Sequence, residues 1–241
     1  MTFTLFFDDQ SEILRRLLQL YFPSRRRVRV IDLTYGRGAL WSTIFDDPAL
    51  RRKYHVTKCD AVPTVKGVKK RNLFKDDYSN LGLHDAAVVD PPYLIGRHAF
   101  DYGKKQTSKK SWAKNGGLKK HTSNQTLGQF NRRIECVRDK APTFLRPGGL
   151  LLVKVLDPRY KHRLICHHIN IANALRESFE LIDIGVYVRQ GASTWKIRGN
   201  LHNAHGYWLA FRHDEYHSVS ELSGAVSGGV NSGIGDVNDS E

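Results

Sequence analysis

The segment VIDLTYGRGAL, Val30–Leu40, decides how the rest of the chain is read. With the residues before it, RVRVIDL (Arg27–Leu33) has the β-branched character of a buried strand, and Asp32 falls at its end. Gly36 and Gly38 follow, in the pattern D-x-x-x-G-x-G. Glycine adopts positive φ without strain and lets a ligand approach the backbone. In a doubly wound sheet, ligands sit beyond the carboxyl ends of the strands, where the strand order reverses. Asp32, Thr34, Gly36 and Gly38 are therefore candidate ligand-binding residues. A structural strand-to-helix turn is the alternative, since the pattern is shorter than the dinucleotide fingerprint G-x-G-x-x-G.

Working outward, Asp8–Phe22 carries apolar residues at Ile13, Leu14, Leu17, Leu18 and Tyr21, a helical period ended by Pro23. Ala39–Lys53 reads as a helix broken at Pro48, and Tyr54–Asp60 as a second strand. A third, weakly marked strand lies within Val65–Phe74, and a fourth is DAAVVD, Asp85–Asp90. Thr126–Leu145 resumes a helical pattern, RPGG (Arg146–Gly149) turns the chain, and LLLVKVL (Leu150–Leu156) is continuously apolar except for Lys154. A helix around Arg163–Ser178 precedes the strands Phe179–Val188 and His205–Arg212. Strands alternating with helices predict an α/β chain with a doubly wound, mostly parallel, seven-stranded sheet whose last strand is antiparallel. Residues 1–213 are expected to form one domain with a basic insertion at about 96–125, and 214–241 a disordered acidic Gly/Ser tail.

Of the 241 residues, 38 are Lys or Arg and 24 are Asp or Glu, a formal charge of +14. Asp214–Glu241 holds six acids and no Lys or Arg, so residues 1–213 set 38 cationic against 18 acidic side chains, +20. A polyanion is the natural partner of such a body, because each cation placed on a phosphate releases condensed counterions. No apolar run approaches the ~20 residues of a membrane span. The N-terminus has no basic leader or cleavage-like site, and Cys59, Cys136 and Cys166 are too far apart for a zinc knot or a disulfide framework. A cytoplasmic protein without a metal is expected. Cys166-His167-His168 places adjacent residues on different helix faces, which makes chelation of one ion difficult.

DAAVVDPPYLIG, Asp85–Gly96, ends a core strand with a carboxylate, two prolines and a tyrosine. Together with the glycine turn, Asp90-Pro91-Pro92-Tyr93 resembles the class I S-adenosylmethionine-dependent methyltransferases, and more narrowly the amino methyltransferases that modify adenine N6 or cytosine N4. DLTYGRG is similar to their cofactor motif, PGGLLLVKV to their fifth strand, and FFDDQSEILRRLL to the helix that closes over the cofactor's methionine end. The resemblance covers roughly residues 6–212. It implies S-adenosyl-L-methionine as cofactor, held by Phe7, Asp32, Thr34, Gly36, Gly38, Asp60 and Asn72. Asp60, at the end of the second strand, suits ribose hydroxyls, while Asn72 suits either an adenine contact or a turn. Asp90, Pro91, Pro92 and Tyr93 are then catalytic. The Asp90 carboxylate and the Pro91 carbonyl accept the two N–H groups of an exocyclic amine, and Tyr93 offers a stacking face.

A base inside a duplex must be flipped out to reach such a pocket. The polar stretch Gly96–Gln125 follows the motif directly and holds eight Lys or Arg. Arg97, Lys104, Lys105, Lys109, Lys110, Lys119 and Lys120 suit phosphates, and Trp112 suits stacking or wedging. A solvated lysine-rich loop is the alternative. The implied substrate is DNA, with adenine N6 ahead of cytosine N4. An RNA amino methyltransferase, or a non-catalytic nucleic-acid-binding module, stands as the alternative. In place of a separate target-recognition domain of the size many sequence-specific members of that family carry, the sequence offers only the ~30-residue insertion and the final hairpin.

Overall fold

The computed structural model describes residues 2–6, 9–92, 126–160, 163–188 and 205–214; for 2–6, 159 and 160 only the backbone is described. The insertion at about 96–125 and the tail after Asp214 lie outside the described residues.

Strands β1 (Thr2–Phe6), β2 (Val28–Asp32), β3 (Tyr54–Asp60), β4 (Lys69–Lys70), β5 (His84–Val89), β6 (Leu145–Val155), β9 (Phe179–Val188) and β10 (His205–His213) form one sheet in the order β1-β9-β10-β6-β5-β2-β3-β4. Strands β7 (Arg159–Tyr160) and β8 (Arg163–Leu164) make a separate hairpin. Within the main sheet, β10 runs antiparallel to both β6 and β9, and every other pair is parallel. The seven expected strands are present in a doubly wound sheet, and β1 adds an eighth at the edge beside β9. The third expected strand contracts to Lys69–Lys70, both exposed, which explains its weak mark in the sequence. The expected RPGG turn falls inside β6, where the register against β5 shifts between His84 and Ala86 and Gly148 has φ +68°.

Two apolar layers cover the sheet. On one face, helix α1 (Gln10–Tyr21) buries Ile13, Leu14, Leu17 and Leu18 against Val28, Val30, Val88 and Leu152. Burying each aliphatic side chain contributes roughly 1.5–3 kcal/mol. Asp9 starts this helix by accepting from the amides of Ser11 and Glu12. On the other face, helix α4 (Leu127–Phe144) buries Phe130, Ile134, Val137, Ala141 and Phe144, one stripe at helical spacing. Its start is fixed by a reciprocal cap between Thr126 and Gln129. Helix α5 (His167–Leu175) packs beside it and is shorter than the helix expected over 163–178, because Arg163 and Leu164 are taken into the hairpin. The expected break at Pro48 is a boundary between α2 (Ser42–Asp46) and α3 (Pro48–Lys53): Asp47 caps α3 through the amides of Ala49 and Leu50.

Candidate active site

Strand order reverses between β2 and β5, and both run in the same direction. Their carboxyl ends therefore flank the crevice in which such sheets bind ligands. The tips are stitched together. Leu33 N donates to Val88 O at 3.0 Å, and Asp90 N donates to Thr34 Oγ1 at 2.6 Å. The glycine turn and the DPP segment thus open onto one edge of the sheet.

Asp32 is 1 % exposed and faces inward. Its Oδ2 accepts from Trp41 Nε1 at 2.6 Å, and its Oδ1 from Thr34 N at 2.8 Å. Burial pushes its carboxyl up to about 7, with the charges of Asp90 and Asp60 adding to the shift and the two hydrogen bonds opposing it. Asp32 shapes the turn, and the surface offered to a ligand is the backbone beyond it.

Gly36 and Gly38 both have positive φ, +56° and +79°. Their surroundings differ. A Cβ on Gly38 would lie 2.4 Å from the Tyr35 hydroxyl, whereas a Cβ on Gly36 would meet nothing closer than Thr34 O at 3.9 Å. Tyr35 turns inward, and its ring lies under Lys58 Nζ at 5.1 Å. The bulk that the sequence places beside the first glycine is thereby packed into the protein. Gly36 leaves bare backbone facing open space, the cradle that a cofactor's approach requires.

Asp60 ends β3 and accepts from Gly36 N and Val62 N, both at 2.8 Å, one on each oxygen. A carboxylate has about four lone-pair sites, so capacity remains for ribose hydroxyls. Arg71 N donates to Asp60 O at 2.9 Å and brings Asn72 close to this tip. The Asn72 side-chain oxygen accepts from Phe74 N at 2.9 Å, which realises its turn-forming alternative and leaves its amide nitrogen for a ligand. Thr34, Gly36, Asp60 and Asn72 fit the adenosine end of S-adenosylmethionine by donor set and placement.

At the tip of β5, Pro91 is buried and the Asp90 side chain is 24 % exposed. Lys154 Nζ donates to Asp90 Oδ2 at 2.8 Å, and the lysine side chain is only 11 % exposed. Sequence reasoning did not pair these residues. The signal available was a lysine inside the apolar run LLLVKV, expensive to bury unless a carboxylate meets it. No described residue hydrogen-bonds to the other Asp90 oxygen, Oδ1. One oxygen is thereby anchored and the other is offered to a ligand.

A second polar cluster sits past the end of β6. Asp157 is paired with His168 Nδ1 at 2.5 Å, His168 stacks on Tyr207 at 4.2 Å, and the Tyr207 hydroxyl meets His205 Nε2 at 3.0 Å. His167 stacks instead on Phe130 at 3.9 Å. The two adjacent histidines thus serve different partners. Among the described residues no group of three or more His, Cys, Asp or Glu could hold a metal ion. Nor is any described helix long and apolar enough to cross a membrane.

Phe7, Tyr93, Arg97, Lys104, Lys105, Lys109, Lys110, Trp112, Lys119 and Lys120 lie outside the described residues.

No protein-family model matches the sequence, and no curated protein does. Among solved structures, the chain is similar to the N-methyltransferase NodS of Bradyrhizobium japonicum WM9, with 14 % identity, 85 % of this chain and 96 % of that one covered, and a TM-score of 0.45. It is also similar to TrmN of Thermus thermophilus, with 14 % identity, 84 % of this chain covered and a TM-score of 0.49, and it spans 48 % of that protein's length. Identity and superposition at this level carry nothing about substrate. The fold assignment rests on strand order and on the stitched strand tips.

Proposed function

We propose that this protein is an S-adenosylmethionine-dependent methyltransferase acting on an exocyclic amino group of a nucleic-acid base, with adenine N6 in DNA as the substrate. The observation that carries the proposal is the placement of Asp90 beside the glycine turn at the strand reversal, with Thr34 holding its backbone and Lys154 holding one oxygen. When bound, the cofactor supplies an electrophilic methyl group on a sulfonium. The chain's own residues supply position and charge.

An exocyclic amine is a poor nucleophile, because its lone pair is delocalised into the ring. The open Oδ1 of Asp90 accepts one of its N–H groups, and the Pro91 carbonyl is suited to the other. Accepting both bends the nitrogen toward a tetrahedral shape and aims its lone pair. Positive charge developing on the amine nitrogen would be stabilised by the Asp90 carboxylate. Lys154 fixes the carboxylate's rotation, so orientation is not purchased at each turnover. Asp60 and Asn72 would hold the adenosine end of the cofactor. The basic body supplies phosphate affinity for the substrate.

The test is incubation with radiolabelled S-adenosylmethionine and separate DNA and RNA pools, followed by nucleoside analysis. Label in N6-methyladenine from DNA is the expected result. Label in RNA alone replaces the substrate, and label in neither, with no affinity for the cofactor by calorimetry, overturns the enzyme. Asp90→Ala is expected to abolish transfer while leaving cofactor affinity within about threefold, because the cofactor side of the crevice does not depend on it.

A further inference from the structure

We propose that the amino-terminal edge of the sheet, opposite the candidate active site, is a second binding surface for a phosphodiester backbone. An open cleft of about 430 Å³ lies there, lined by Arg25, Arg27, Arg29, His55, Asp85 and Arg146. These residues come from the starts of β2, β3 and β5, from the loop before β2, and from the first turn of β6. Asp85 is the second residue of β5 and Asp90 follows its last, so at ~3.3 Å per residue the cleft and the Asp90 carboxylate stand about 17 Å apart along the strand.

The charge of this cleft is built, with Asp85 at its organising centre. The Asp85 side chain is 6 % exposed, and its Oδ1 accepts from Arg25 at 2.6 Å and from Arg146 at 2.7 Å. Its Oδ2 accepts from Arg29 N at 2.8 Å. Both carboxylate oxygens are therefore occupied by N–H donors, while the Arg25 and Arg146 side chains remain about half exposed, at 57 % and 45 %. Each arginine is held by one side of its fork, with further N–H groups free to meet a second anion. Four arginines against one aspartate leave a formal +3 with His55 neutral. Arg26, in the same loop, and Arg51 and Arg52, at the end of α3 just before β3, are also exposed.

The lining chemistry names the ligand. No Phe, Tyr, Trp or aliphatic side chain lines the cleft, so what it offers a ligand is chiefly guanidinium charge. Cations that meet phosphate oxygens fix register on a nucleic acid and carry no sequence information. The cleft is thus a sequence-independent grip on a backbone that passes around the domain, on the side away from the chemistry. This inference does not require methyl transfer, only that the protein binds nucleic acid.

Fluorescence anisotropy with labelled duplex DNA and with labelled single-stranded RNA, over a salt series without S-adenosylmethionine, tests it. Each lost phosphate contact lowers the slope of log K against log salt by ~0.9 on B-DNA and ~0.7 on single strands. The double variant Arg25→Gln/Arg27→Gln is expected to lower it by about 1.4–1.8 and to weaken binding about tenfold at 0.1 M salt. Arg27→Gln alone leaves the Asp85 pairs intact and is expected to lower it by about half as much. A change on one nucleic acid only assigns the cleft to that backbone. Unchanged slopes for both variants on both probes overturn the proposal. The S-adenosylmethionine affinity of the double variant, measured in parallel by calorimetry, is expected to match wild type, so a failure here is distinguishable from a failure of the methyltransferase assignment.

Discussion

Lys154 and Asp90 meet at 2.8 Å across adjacent strand tips, in a place where the lysine is nearly buried and the aspartate is only partly so. The asymmetry is informative. A structural ion pair would be served equally well with both partners enclosed. Here the cation is the more enclosed partner and the anion the more exposed one.

Removing the ammonium is expected to slow turnover. Lys154→Met keeps the apolar stem but leaves Asp90 free to rotate. A charged hydrogen bond contributes about 1.5–3 kcal/mol, equivalent to about a 10- to 100-fold drop in kcat. KM for S-adenosylmethionine is expected to stay within about twofold. Lys154→Arg, which retains a donor, is expected to recover part of the loss. Steady-state kinetics of the three proteins check this, and equal kcat for the methionine variant and wild type would remove the lysine from the reaction.

The two glycines of the turn are expected to fail in different ways. Gly38→Ala drives a methyl group into Tyr35 as well as occupying φ +79°, so it is expected to cost more than the ~1–2 kcal/mol of a left-handed residue alone. Gly36→Ala carries only the backbone cost, but sets a methyl group on the open face of the turn. Urea midpoints should fall further for Gly38→Ala, while KM for the cofactor should rise more for Gly36→Ala. The reverse ranking would mean that ligands do not approach over Gly36.

Asp32 makes stability depend on pH with a definite sign. Its folded-state carboxyl is raised to about 7 from the model-compound 3.8, chiefly by burial, so the native state keeps a proton that the unfolded chain has lost. This group's contribution to stability therefore falls as pH rises from about 4 to about 7, and is flat outside that window. Asp32→Asn removes the ionisation and retains an acceptor for Trp41. Across that window, the stability of the variant relative to wild type is expected to rise with pH in paired urea titrations. A constant difference between the two proteins would show that Asp32 does not titrate there.

The backbone of the site was largely legible. Tyr54–Asp60 is β-branched or apolar often enough to declare a strand, and it ends in the observed carboxylate. The turn at Gly36 and Gly38 and the acid at Asp90 follow from strand ends that sequence marks clearly. Side-chain direction was not legible. Nothing in the spacing tells that Asp32 points inward to Trp41 while Asp60 stays at the crevice, because both simply terminate strands. Lys154 was visible as an anomaly, but its partner lies 64 positions away, beyond any local pattern. The edge strand β1 went unread although Thr2-Phe3-Thr4-Leu5 alternates in the manner of a half-buried strand, because the helix signal from Asp8 onward dominated that end. The arginine cleft is likewise a product of topology: it gathers the starts of strands that are scattered through the chain.

The sheet order has a consequence for how the chain reaches this state. Thr2 pairs with Asp183, and β9 is joined to the rest of the sheet only through β10, which follows it in sequence. Strand β1 can therefore pair only after β9 (Phe179–Val188) has been made. Closing so large a loop is slow for entropic reasons, and an unpartnered strand is adhesive in the meantime.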